Sequence, residues 1–155
     1  WDLSNAVLVA GDAREAKELG RFANRLHLPM AIVDKRRLGD DDKAVATNLI
    51  GEVGGMDAII VDDEMATGGT VVEAARFLQS RGARSVSVAV THGVLSGPAL
   101  ERIAAGPFRE VVVTDTVPVA DKAIACPKLR VLSVAPLLAR AIRRIHDGDS
   151  VSDLF

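Results

Sequence analysis

The chain has 155 residues, 48% hydrophobic and 26% charged, with a formal net charge of −2. That length suits one domain with a sizeable core, and that mixture excludes a disordered chain. The near-neutral balance gives no broad electrostatic reason to expect nucleic acid or an anionic membrane as partner, and no apolar run is long enough to span a bilayer.

In chain order, Ala6 to Ala10 reads as a buried strand and Ala13 to Leu26 as a helix. Met30 to Val33 is a second strand, and Thr47 to Ile50 a short third. The polar stretch Arg36 to Lys43 between them predicts a mobile loop. Ala58 to Val61 is a further buried strand. Thr70 to Arg81 predicts a helix with Val71, Val72, Ala75 and Leu78 on one face and Gly82 just past its end. Strands follow at Ser85 to Val90, Glu110 to Thr114 and Leu129 to Val134. Pro136 then opens a helix carrying Leu137, Leu138, Ala141, Ile142 and Ile145. Apolar strands alternating with helices predict one α/β domain over residues 1–155, a mostly parallel sheet with helices on both faces. No secretory pattern opens the sequence, and lone Cys126 has no partner for an internal disulfide. Both predict a reducing, cytoplasmic setting.

The chemistry concentrates in "IIVDDEMATGGT", residues 59–70. In an open parallel sheet, ligands bind beyond the C-terminal strand ends, where Asp62 and Asp63 are expected. Gly68 and Gly69 allow a tight turn whose N–H groups converge, and the helix near Thr70 adds its positive end. That is a site for a phosphate monoester. The aspartates repel a phosphate but accept hydrogen bonds from hydroxyls or hold Mg²⁺. A ligand with a phosphate at one end and a vicinal diol at the other, such as ribose 5-phosphate, fits both halves.

"VDDEMATGGT" resembles the ribose-phosphate motif of the type I phosphoribosyltransferase fold, which also serves the ribose-phosphate pyrophosphokinases. "AIVDKRR", "THGVLSGPALERI", "VVVTDTVPV" and "LSVAPLLARAIRRIHDGDSVSDLF" resemble the C-terminal half of those synthetases, so the similarity covers nearly the whole chain. The resemblance implies a phosphoribosyltransferase-like three-layer domain. Its implied reaction transfers the diphosphoryl group of ATP to ribose 5-phosphate, giving phosphoribosyl pyrophosphate (PRPP) and AMP. It implies that Asp62 and Asp63 meet the ribose, that Ala66, Thr67, Gly68, Gly69 and Thr70 cradle the 5-phosphate, and that Lys35 and Arg37 are loop cations acting in catalysis, with Arg37 also reaching the ribose 5-phosphate. It further implies that Asp12 helps hold Mg²⁺ and that Ser150 and Ser152 belong to an allosteric phosphate or ADP site. ATP would bind mainly through an N-terminal half that precedes Trp1 in the family, and the family assembles as dimers that build hexamers.

Two departures stand out. Position 66 is often Asp in these synthetases and is Ala here, which removes a carboxylate but leaves a main-chain cradle intact. After Asp12 the family has a small residue and two glycines, where this chain has Ala13, Arg14 and Glu15. Two other readings use the same motif: a transferase that consumes PRPP, and a non-catalytic, synthetase-associated regulatory subunit.

Overall fold

The structure, a computed structural model, describes residues 1–11, 15–37 and 44–154, with residues 35–37 and 44–47 described at the backbone only. Seven strands form one sheet: β1 Ala6–Ala10, β2 Met30–Arg37, β3 Ala44–Ile50, β4 Asp57–Met65, β5 Ser85–Gly93, β6 Glu110–Thr114 and β7 Leu129–Leu132. Their order is β3-β2-β1-β4-β5-β6-β7, all parallel except β3, which runs antiparallel to β2. The helices are α1 Ala16–Leu26, α2 Gly69–Ser80, α3 Ala99–Ala105, α4 Ala120–Ala125 and α5 Ala135–Asp147, followed by a 3₁₀ turn at Ser152–Leu154.

The strand pleat sorts alternate residues to opposite faces. Val7 and Val9, Ala58 and Ile60, Val86 and Val88, and Val111 and Val113 pack on one face with α2 and α3. Ala6, Leu8, Ala10 and Ile59 pack on the other with Leu19 and Ala23 of α1. Such double-sided burial is why these strands read as continuous apolar runs. Helix α2 buries Val71, Val72, Ala74, Ala75 and Leu78. Full burial of each Val or Leu is worth about 1.5–3 kcal/mol, so this helix is held by packing more than by propensity. Cys126 is a buried free thiol. No described helix is long and apolar enough to cross a membrane.

Several expectations need correction. β2 and β4 each run four residues further than expected, because hydrogen-bonded neighbours continue: β3 beside β2, and β5 as far as Gly93 beside β4. Arg36 and Arg37 are therefore strand, while the remainder of the expected mobile loop, residues 38–43, lies outside the described residues. The first described residue of α1 is Ala16, and the expected start at Ala13 also lies outside them. Helices α3 and α4, seven and six residues long, were not expected from the sequence. The apolar stripe of α5 is only partly covered among the described residues: Leu138, Ile142 and Ile145 are 54%, 67% and 68% exposed. The sheet face beside α1 is likewise partly open, forming a groove lined by Leu8, Phe22, Ile59, Val61, Val112 and Leu132 among others.

At the opposite end of the sheet from the expected site, Asp57 accepts bonds from two guanidinium nitrogens of Arg84 (2.8 Å from Nε) and one from Ser85 Oγ at 2.8 Å. These donors pull its carboxyl from 3.8 to about 2. A depressed folded-state value means stability that is present above pH about 4 and is lost as pH falls toward 2. The melting temperature of wild type should therefore exceed that of Asp57→Asn at pH 6, and the gap should shrink as pH is lowered to 2. A gap that stays constant over that range would show that the ion pair contributes no pH-dependent stability.

Candidate functional site

The strand order reverses at β1, because the chain winds outward through β2 and β3 and then returns to β4 on the other side of β1. Beyond the ends of β1 and β4 the connections diverge and leave a crevice, where ligands of open α/β sheets bind. The sequence put its acidic pair at this point. Asp62 and Asp63 lie in the protruding end of β4, Asp62 half-buried and Asp63 exposed. They border a cleft of about 270 Å³, shared with Glu15 and Glu18, Phe22 and Thr91.

Asp62 Oδ1 accepts from the backbone N–H of Asp63 at 2.8 Å. Burial pushes the Asp62 carboxyl above its usual range, and the neighbouring Asp63 carboxylate adds to the rise. A raised value means stability that is complete below the unfolded-state pKa and is lost as pH rises through the folded one. At neutral pH this charge therefore costs stability.

Three residues on, the chain enters the glycine turn. The carbonyl of Met65 accepts from Leu95 N–H at 3.1 Å, that of Ala66 from Ser96 N–H at 2.9 Å, and that of Thr67 from Arg102 Nη1 at 2.9 Å. In a trans peptide the next N–H points opposite to the carbonyl. With three successive carbonyls tied to one segment, the N–H groups of Ala66, Thr67 and Gly68 face away from it. Gly68 has φ 72°, the left-handed conformation that lets the turn run directly into α2. No side chain caps this helix, whose N-cap is Gly68. Among the described residues the N–H groups of Thr67 and Gly68 have no protein acceptor. Those of Gly69 and Thr70 lie in the first turn, where no intrahelical acceptor exists. The result is a run of open donors at the positive end of a 12-residue helix. Ala66 contributes only backbone here, so the missing carboxylate leaves the cradle whole.

The other expected residues are placed less completely. β2 passes the end of β1 at Ile32 and continues to Arg37 as a ribbon with β3. At about 3.3 Å per residue, those five residues extend roughly 17 Å beyond the sheet on the crevice side. Lys35 and Arg37 sit on this ribbon, just after a register shift between Asp34 and Lys35; their side chains lie outside the description. Asp12 also lies outside the described residues. Ser150 and Ser152 fall in the tail after α5, where Arg144 Nη1 donates to Ser150 O at 2.6 Å and to Asp153 at 2.9 Å. That tail is not brought to the phosphate turn by any hydrogen bond among the described residues. Arg102, whose contact spans 35 residues, carries no local sequence signal.

The family model described as the phosphoribosyl synthetase-associated domain matches residues 40–155. The chain belongs to that family. A ribose-phosphate pyrophosphokinase of Caldanaerobacter subterraneus is 47% identical over 97% of this chain and 47% of its own length. One from Aquifex aeolicus is 43% identical over 99% of the chain and 48% of its own length. The chain thus spans about half the length of these relatives. A crystal structure of the phosphoribosylpyrophosphate synthetase from Mycobacterium smegmatis superposes with a TM-score of 0.81 at 37% identity, over 93% of this chain and 46% of that one. This phosphoribosyl synthetase-associated domain therefore has the synthetase fold expected from its sequence.

Among the described residues, no three His, Cys, Asp or Glu side chains stand together as a metal site. The cleft carboxylates Asp62 and Asp63 fit an ion held by one or two protein carboxylates with the remaining ligands from substrate and water, as is usual for Mg²⁺.

The burial of Asp62 yields a test independent of any ligand. Asp62→Asn should melt at the same temperature as wild type at pH 7, or higher. A fall of more than about 2–4 °C, equivalent to roughly 1 kcal/mol, would mean that the carboxylate supports the fold.

Proposed function

We propose that this chain is the ribose 5-phosphate-binding half of a ribose-phosphate pyrophosphokinase. The observation that carries the reading is the turn at Ala66–Thr70, with its carbonyls tied back and its N–H groups open, directly after the half-buried Asp62. A 5-phosphate in the turn points the ribose toward the crevice, where Asp62 and Asp63 accept hydrogen bonds from its hydroxyls. The 1-hydroxyl oxygen attacks the β-phosphorus of ATP and loses its proton. The bond from that phosphorus to the α,β-bridging oxygen breaks, and AMP leaves with the electron pair. Lys35 and Arg37, on a ribbon projecting past the same sheet end, offset the charge that accumulates on the transferring group. Mg²⁺, held by Asp12 or the cleft carboxylates together with substrate phosphates, would supply further neutralisation.

ATP is bound mainly by a second α/β half. The share of the relatives that this chain spans supports this, as do the open sheet face and the unpartnered stripe of α5. The whole enzyme is cytoplasmic and assembles as dimers that build hexamers, and Ser150 and Ser152 contribute to an effector site of phosphate or ADP chemistry. The family's own description favours one other reading, a synthetase-associated binding subunit that uses the same cradle without turnover.

Three measurements test this. Calorimetry on the chain should show weak binding of ribose 5-phosphate, and an AMP-release assay with ATP should show no PRPP synthesis by the chain alone. Turnover by the isolated chain would contradict the assignment of ATP to another domain. In a protein carrying both halves, Lys35→Ala should lower kcat and kcat/KM together with ribose 5-phosphate binding nearly intact. Loss of binding with turnover kept at saturation would make Lys35 a ground-state contact.

A further inference from the structure

We infer that Arg102 is a positioning residue for ribose 5-phosphate, holding the phosphate turn open through the Thr67 carbonyl. This rests on the reading of that turn as the 5-phosphate site.

The carbonyls of Met65 and Ala66 are held by backbone N–H groups of Leu95 and Ser96, which almost any side chains at those positions would supply. The third, that of Thr67, is held by a side chain: Arg102 Nη1 donates to it at 2.9 Å. This bond sets the peptide that aims the Gly68 N–H, the donor beside the left-handed residue that starts α2. Without it, that peptide is free to rotate, and the cradle loses aim where the backbone is least constrained by other bonds.

Gly69 gives a second, independent sign of the contact. A Cβ there would lie 3.2 Å from Arg102 Nη1 and 3.7 Å from its Cζ. The guanidinium thus fills the space a side chain at 69 would need, and the absence of a side chain at 69 serves the arginine as well as the ligand. Arginine suits the task because its planar fork keeps further N–H donors after one is used, and its charge stays fixed at every physiological pH.

The segment that carries Arg102 is itself anchored. Lys122 Nζ donates to the carbonyls of Val94 and Leu95 at 2.9 and 3.0 Å, while Ala99 and Ile103 of α3 are buried in the core. Arg102 therefore projects from a fixed base. Its own side chain is exposed, so truncation should spare the fold.

The test is calorimetric titration of the chain and its Arg102→Met and Arg102→Lys variants with ribose 5-phosphate, alongside their melting temperatures. Arg102→Met should lose at least tenfold in affinity with an unchanged melting temperature. Arg102→Lys, which keeps a donor and the charge, should fall between it and wild type. Affinity of Arg102→Met within twofold of wild type overturns the inference while leaving the phosphate site standing. So does an Arg102→Lys variant as weak as Arg102→Met. If Arg102→Met does not fold, the position is structural and the inference fails. Wild type that does not bind ribose 5-phosphate removes the phosphate reading itself.

Discussion

Three successive carbonyls, those of Met65, Ala66 and Thr67, point to one side of the chain because the segment from Leu95 to Arg102 holds them there. The opposite side is left with the N–H groups of Thr67 and Gly68, which have no partner among the described residues. Unpaired donors are ordinarily a cost, tolerated when solvent or a ligand satisfies them. Here they gather at the uncapped end of α2, whose dipole has the same sign. The outward aim of these N–H groups is thus a backbone property, fixed by hydrogen bonds made on the far side of the loop. The side chain of Ala66 takes no part in it.

The sheet explains why this turn faces two carboxylates. β4 is the first strand after the reversal at β1, and its end protrudes into the crevice that the reversal creates. A strand end followed by a glycine turn places acid and anion cradle a few residues apart without letting them share one ligand atom. Half-burial of Asp62 disfavours its charge, so the ionised carboxylate stands at a cost to stability. Salt-bridged Asp57, at the other end of the same strand, shows the reverse shift and serves the fold. One strand therefore carries an aspartate whose charge supports the fold at its start and one whose charge costs stability at its end.

Much of this was legible in the sequence, for definite reasons. The central strands are visible because double-sided burial makes them apolar, and α2 because Val71, Val72, Ala75 and Leu78 keep helical spacing. Strand ends were misjudged because hydrogen bonding to a neighbour, not composition, decides how far Asp62 to Met65 continue as strand. Helices α3 and α4 were missed because six or seven residues carry less than two full turns of pattern. The stripe on α5 is legible as a stripe, but a sequence does not say whether it is covered, and Leu138, Ile142 and Ile145 are exposed here. The motif at 62–70 exposed the ligand side of the turn. Arg102, on the other side, left no local signal, since its meaning is a contact with a carbonyl 35 positions away.

Reception of a phosphate by the N–H groups of Thr67 to Thr70 is tested most directly by two-dimensional amide NMR of the chain during titration with ribose 5-phosphate, with ribose as the comparison. The amides of Thr67, Gly68, Gly69 and Thr70 should move most, downfield as their hydrogen bonds to the phosphate form, and stay nearly still with ribose. Large shifts elsewhere with these four unmoved, or equal shifts with ribose, would contradict it.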